Sequence, residues 1–246
     1  MTMIYTDKQI AKILAALKAF ATNDETRYIL AFAMPYKGDT IATDGRILAR
    51  VHGLTFAEPP VLNPKALKAV GNPNYGPFRP KINAWSDLEK HKLSNSVPNC
   101  DQVIPAKNGT EPPVKAELAE FIARKDTMDA AHKALVARVK ETKAAWLSAT
   151  DAEREAASEA YEKANYALSK HEYGTPASLP ITIDGKTFNF QPHFITAAVK
   201  LFAVASPGEP VLGQLRDNLS PLMLYTSNVT VVIMPMRVAR TRRFST

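Results

Sequence analysis

The chain has 246 residues, 46% of them apolar, enough for a substantial core arranged as one or two domains. Its 31 Lys and Arg against 24 Asp and Glu give a net charge of +7, which points to an acidic partner, nucleic acid being the usual one. A single cysteine, Cys100, excludes an intrachain disulfide and reads as a buried, inert thiol in a reducing compartment. The polar start Met1–Gln9 offers neither a signal peptide nor a membrane anchor, so the expected location is cytoplasmic.

Thr6 to Ala21 reads as a helix. Thr6 and Gln9 have capping-box spacing, and Ile10, Ile13, Leu14, Leu17 and Phe20 fall on one face, with Lys8 and Lys12 opposite. Strands are expected near Tyr28 to Pro35 and Thr40 to Val51, the second broken by a tight turn at Asp44-Gly45. Asn63-Pro64 opens a short helix through Val70 that carries Lys65 and Lys68.

Pro112-Pro113 introduces a long helix whose apolar residues include Leu118, Phe121, Ile122, Met128, Leu135, Val139 and Trp146. A second helix begins at Thr150, with Glu153 completing a capping box, and runs to about His171 before Gly174 and Pro176. Ala156, Ala160, Ala164 and Ala167 form a narrow stripe along it, so the two helices read as an antiparallel hairpin, partly coiled coil. Two roles stay open for it, a structural arm or a contact for a partner or another copy.

Gln191-Pro192 repeats the helix-opening device before Phe194 to Phe202, which gives a helix on a small antiparallel sheet once in each half. Strands close the chain around Pro221 to Tyr225 and Val229 to Met236, joined through Ser227-Asn228. The last strand, Val231 to Arg237, expects its partner far upstream in Thr43 to Leu48. Pro235 between Met234 and Met236 has no N–H to donate and marks an edge or a break in pairing. The flanking thioethers read either as an adaptable surface or as core filler.

The chain has no Gly-x-x-x-x-Gly-Lys-Ser/Thr loop, no His-Glu-x-x-His and no Gly-x-Ser-x-Gly. His52, His91, His132, His171 and His193 are scattered, without the carboxylate cluster of a metal site. Asp39 and Asp44 read as turn residues rather than an acid/base pair. The expectation is a binding protein, not an enzyme, with no metal and no cofactor.

Five separated segments resemble the bacterial DNA polymerase III beta sliding clamp family. Arg27-Tyr28-Ile29-Leu30 and Ile41-Ala42-Thr43-Asp44-Gly45-Arg46-Ile47-Leu48-Ala49 are similar to its middle domain, in order and nearly in spacing. Pro98 to Pro105, with Gln102 and Val103, resembles the junction to the last domain. Phe188 to Phe202 is similar to the strand and helix opening that domain's second half, and Met234-Pro235-Met236-Arg237 to the family's end. The chain departs at Arg46-Ile47-Leu48, where the family has His-Arg-Leu, and at Gln102, commonly Arg. Residues 71–95 match poorly, 113–173 look inserted, and a basic tail follows from Ala239 to Thr246.

The resemblance implies an α+β fold of DNA-clamp-like repeats, helices on antiparallel sheet, with an inserted antiparallel helical hairpin. The expected divisions are 1–112, a clamp-like first half; 113–173, the hairpin; and 174–246, a clamp-like second half with the tail. Carried over residue by residue, a hydrophobic groove for a client peptide comprises Leu30, Thr43, Gly45, Arg46, Leu48, Pro98, Gln102, Val103, Val232, Met234, Pro235, Met236 and Arg237. Sequence-neutral contact with double-stranded DNA falls to Lys8, Lys12, Lys18, Lys65, Lys68 and Lys200. The implied partners are DNA, a polymerase or other protein with a clamp-binding motif, and further copies of the chain. The implied function is a reduced clamp that tethers a polymerase to DNA. A clamp-derived adaptor or decoy that never encircles DNA stays open beside it, as does an inactive relative with a closed groove.

Overall fold

The computed structural model describes residues 5–67, 82–93, 97–107, 109–174, 178–217 and 220–235. Helix α1 (Asp7–Leu17) starts at a capping box: the Gln9 N–H donates to Thr6 Oγ1 at 3.3 Å, and Gln9 Oε1 accepts from the Thr6 N–H at 3.0 Å. It buries Ile13 and Leu17 and continues as a 3-10 turn, Lys18–Phe20, that buries Phe20. The next segment, Glu25–Ala31, is 3-10 helical and not the strand expected from Tyr28 onward. Asp24 accepts from the Thr26 N–H at 2.8 Å and from its hydroxyl at 2.7 Å, and this local cap starts a turn where an extended chain was expected.

Strands β1 (Met34–Tyr36), β2 (Asp39–Thr43) and β3 (Ile47–Val51) form a meander. A separate hairpin pairs β4 (Leu179–Ile183) with β5 (Lys186–Phe190) across Asp184-Gly185, both with positive φ, as a two-residue turn requires. After helix α5 (Pro192–Ala205) come β6 (Leu212–Gln214), β7 (Leu222–Tyr225) and β8 (Val229–Ile233). The main sheet has six antiparallel strands in the order β1-β2-β3-β8-β7-β6. Its centre is the β3–β8 pair, with Ile47 opposite Ile233 and Val51 opposite Val229, which joins the upstream segment to the last strand.

Side chains alternate across this sheet and create two cores. Ile47, Ala49, Val231, Ile233 and Leu224 face the side where α1 and α5 lie together. There α5 buries Phe194, Ile195, Leu201 and Phe202, each contributing about 1.5–3 kcal/mol. Leu48, Val232, Ile41 and Met223 face the other side, covered by Leu30, Phe32, Cys100 and a short helix α2 (Trp85–Lys90) through Trp85 and Leu88. The Asn63-Pro64 segment forms a 3-10 turn, Pro64–Leu67, whose Ala66 and Leu67 bury in this second core; Lys68 and the rest of the expected helix lie outside the described residues.

Helix α3 (Lys115–Ser148) runs for 34 residues, about 50 Å, and returns as α4 (Arg154–Gly174). Only the first turns of α3 bury side chains in the body, Leu118 and Phe121. Beyond them the helices pack antiparallel on each other. Met128, His132, Leu135, Val139, Thr142 and Trp146 are half-buried at alternating spacings of four and three residues, the seam of a coiled coil. Ala157, Tyr161, Ala164, Leu168 and His171 answer them on α4. Trp146 stacks on Tyr161 at 5.8 Å, and His132 faces His171 at 5.7 Å. Ala164 is the buried member of the alanine series, whereas Ala156 and Ala160 face solvent, because the seam follows a seven-residue period and the series a four-residue one.

A polar network fixes the segment 97–104 against the second core. Tyr36 Oη donates to Asn99 Oδ1 at 2.9 Å, Lys37 pairs with Asp101, and Arg50 lies 2.5 Å from Asp39 and 3.5 Å from Asp101. Asp39 also accepts from the Gly53 N–H at 2.8 Å and contacts His52 Nδ1 at 3.1 Å. Burial works against its charge, but the Gly53 N–H, Arg50 and His52 together hold its carboxyl below the usual value. A depressed carboxylate contributes stability that is complete above about pH 5 and is lost as the pH falls through 4. Asp39→Asn should therefore cost about 1–2 kcal/mol at pH 7, by removing the nearer of the two carboxylates that Arg50 contacts. The gap in thermal stability between wild type and Asp39→Asn should narrow as the pH falls below 4.

Candidate functional site

The end of β2, the turn into β3 and the exit of β8 meet at one corner of the sheet. Asp44 Oδ1 accepts from the Arg46 and Ile47 N–H groups at 2.7 and 3.0 Å, while Thr43 Oγ1 accepts from the Gly45 N–H at 3.0 Å and donates to Ile47 O at 2.7 Å. Gly45 takes φ +91°, a conformation L side chains rarely adopt. Strand pairing ends at Ile233, one residue before Met234 and two before Pro235. The Met234 N–H still donates to Arg46 O at 2.9 Å, which fixes the strand exit against the turn. Met234 is 42% exposed, unusual for a thioether directly after a buried strand.

Gly45 and Arg46 also line a polar cleft of about 670 Å³ with Lys18, Asp24, Arg27, Asp44, His193 and Phe194. Four elements supply it: the 3-10 turn after α1, the start of the Glu25–Ala31 segment with its cap Asp24, the β2–β3 turn and the first turn of α5, where Pro192 follows the N-cap Gln191. Burial lowers the His193 pKa, Asp44 opposes that and Arg46 adds to it, so the imidazole is neutral at pH 7. Asp24 is tied to Thr26, with Arg27 at 3.9 Å, and Asp44 is tied to its own turn. Lys18 and Arg46 have no ion-pair partner among the described residues, which leaves their charge facing the cleft.

The sequence-derived groove residues separate into three groups. Leu30, Leu48 and Val232 are buried together in the second core, and Thr43 is buried beside them on β2. Gly45, Arg46, Met234 and Pro235 form the corner itself. Pro98, Gln102 and Val103 belong to the segment over the second core, with Gln102 exposed and Val103 45% exposed. That segment is held at Arg50, four residues along β3 from Arg46, a distance of about 13 Å. Met236 and Arg237 lie outside the described residues.

The DNA-contact candidates divide as well. Lys8 and Lys12 on α1 and Lys200 on α5 are exposed on two helices that lie together on one sheet face. Lys18 lines the cleft, and Lys65 sits on the turn packed into the opposite core. Lys18, Arg27, His193 and Phe194 were not expected as parts of a site with Gly45. The Gln191-Pro192 helix start was the available signal, and only the tertiary fold brings it to the β2–β3 turn.

Cys100 is buried, its thiol donates to Pro98 O at 3.4 Å, and burial pushes its pKa up to about 11. Among the described residues no group of three or more His, Cys, Asp or Glu could hold a metal ion, and no helix is long and apolar enough to cross a membrane. No family model matches the chain, and no curated protein matches it. Among solved structures it is similar to a crystal structure of a DNA polymerase sliding clamp from Caulobacter crescentus, at 14% identity over 96% of this chain and 68% of that one, with a TM-score of 0.36. A likeness of that size carries no functional argument.

A Cβ added at Gly45 would lie 2.9 Å from Arg27 Nη1. Gly45→Ala should cost about 1 kcal/mol in urea unfolding, from the positive φ, because the exposed end of Arg27 can swing aside. The same substitution made together with Arg27→Ala should cost about the sum of the two single changes.

Proposed function

We propose that this chain is a sliding-clamp-like binding protein, not an enzyme, that tethers a polymerase or other client to DNA through a peptide site at the β2–β3/β8 corner. The observation that carries this reading is the hydrogen bond from the Met234 N–H to Arg46 O. Two segments that resemble the same family, distant in the sequence, are neighbours in the fold. The motif resemblance concerns a groove, and its surface members Gly45, Arg46, Met234 and Pro235 share one place.

On this reading the client's apolar anchors pack on Met234 and the corner, over a floor stiffened by the buried Leu48–Val232 pair. Each Leu or Phe anchor contributes about 1.5–3 kcal/mol, so two or three anchors with backbone hydrogen bonds give affinity around micromolar. Such a client exchanges readily. DNA runs past α1 and α5, where Lys8, Lys12 and Lys200 meet phosphates without reading bases. The three chain divisions then serve as two clamp-like halves sharing one sheet and an inserted arm.

The adaptor reading is favoured by one observation. The two halves close on each other through β3 and β8 into one six-stranded sheet, with only the β4–β5 hairpin apart from it, so a ring needs further copies.

Fluorescence anisotropy of a labelled Gln-x-x-Leu-x-Phe peptide tests the site. The wild type should bind at micromolar concentration, and Met234→Ala should bind about five- to tenfold more weakly with unchanged thermal stability. Absence of saturable binding removes both readings. For DNA, replacing Lys8, Lys12 and Lys200 by Ala should weaken duplex binding equally for unrelated sequences. It should also reduce the slope of log affinity against log salt by about one per lysine; an unchanged slope excludes these helices as the DNA face. Retention on circular but not linear DNA separates clamp from adaptor.

A further inference from the structure

The arm formed by α3 and α4 carries two stripes that its own seam leaves unused. On α3, Val136, Lys140, Lys143 and Leu147 stand at i, i+4, i+7 and i+11, nearly one line along a helix of 3.6 residues per turn, and all four are exposed. On α4, Glu155, Glu159, Glu162 and Tyr166 repeat that spacing and are exposed as well. Val136, Leu147 and Tyr166 stand 43%, 69% and 71% exposed. The charged members make no ion pair among the described residues.

Within one arm each stripe sets like charges one turn apart, Lys140 with Lys143 and Glu155, Glu159 and Glu162 in series. Set against each other the stripes are complementary. In an antiparallel register Val136 meets Tyr166, Lys140 meets Glu162, Lys143 meets Glu159, and Leu147 reaches the first turn of α4 at Glu155. A single arm cannot make this contact, because its helices already face each other through the seam and both stripes turn away from it.

We infer that a second copy of this chain docks on the arm, the α3 stripe of one copy against the α4 stripe of the next. The two surfaces differ, so the contact is heterologous and repeats from copy to copy, into a closed ring or an open filament. Its span is about 16 Å of helix, so association is weak, concentration-dependent and screened by salt. The contact is independent of the peptide corner, and its failure would leave the client-binding reading untouched.

Sedimentation velocity on the full chain, freed of nucleic acid and run from low to high micromolar concentration, tests it. The wild type should self-associate at low salt and dissociate at high salt. Lys140→Glu with Lys143→Glu, and separately Glu159→Lys with Glu162→Lys, should each weaken self-association at least tenfold while circular dichroism shows unchanged helix content. Mixing the two variants, or combining all four changes in one chain, should restore association, which a merely misfolded arm would not do. A wild type that stays monomeric throughout, or association indifferent to both charge reversals, overturns the proposal.

Discussion

The pairing of β3 with β8 is the constraint on which the rest of the fold depends. These two strands are buried on both faces, and they carry Ile47 and Ile233 into one core and Leu48 and Val232 into the other. Without this pair the first meander and the last hairpin would each expose an edge and lose half of both cores. The cost of closing so long a loop rises only with the logarithm of its length, so the chain between the two strands can hold a helical arm at little thermodynamic cost. The same long separation gives the sheet a high contact order, which slows folding.

The two sheet faces are covered by different physics. On one, α1 and α5 supply apolar helix faces, and polar ties at the end of α5 fix their position: Asn228 donates to Ala205 O at 3.1 Å, and Ser206 and Thr226 share a hydroxyl contact of 2.7 Å. On the other, short turns and the 97–104 segment cover the strands, and these have too little apolar area to hold themselves. Charge and hydrogen bonding supply the remainder. The Arg50–Asp39 pair is shielded enough to matter, whereas the exposed Lys37–Asp101 pair orients the segment more than it stabilises it. A corner that depends on both faces therefore inherits its rigidity from the sheet and its surface chemistry from the loops.

Those features of the sequence with a strong local cause were legible. The Thr6/Gln9 box marked the start of α1, the Asp44-Gly45 pair marked the β2–β3 turn, and β-branched residues marked β8 up to the break before Pro235. The 3-10 segment at Glu25–Ala31 was missed because its cap, Asp24, was overlooked beside the apolar run that follows it. The β4–β5 hairpin was also missed, although Asp184-Gly185 between alternating residues is a strong hairpin signal. The alanine series on α4 meets the seam at Ala164, with Ala167 half-buried, and leaves it at Ala156 and Ala160, since small residues at four-residue spacing drift off a seam of period 3.5. In the candidate site, turn and strand exit were legible, but the charged cleft was not. Lys18, Arg27 and His193 all lie outside the β2–β3 turn, and no spacing within the sequence places them around Gly45.

The chain's large exposed apolar side chains mark where its surface is unfinished. Among the described residues they are Val103 and Met234 on the body, and Val136, Leu147 and Tyr166 on the arm. Met234 is held outward by the sheet, through the backbone bond to Arg46; the arm residues are held outward by the seam, which turns their stripes to solvent. The supports are independent, one resting on long-range strand pairing and the other on local heptads. Loss of one surface therefore leaves the other intact.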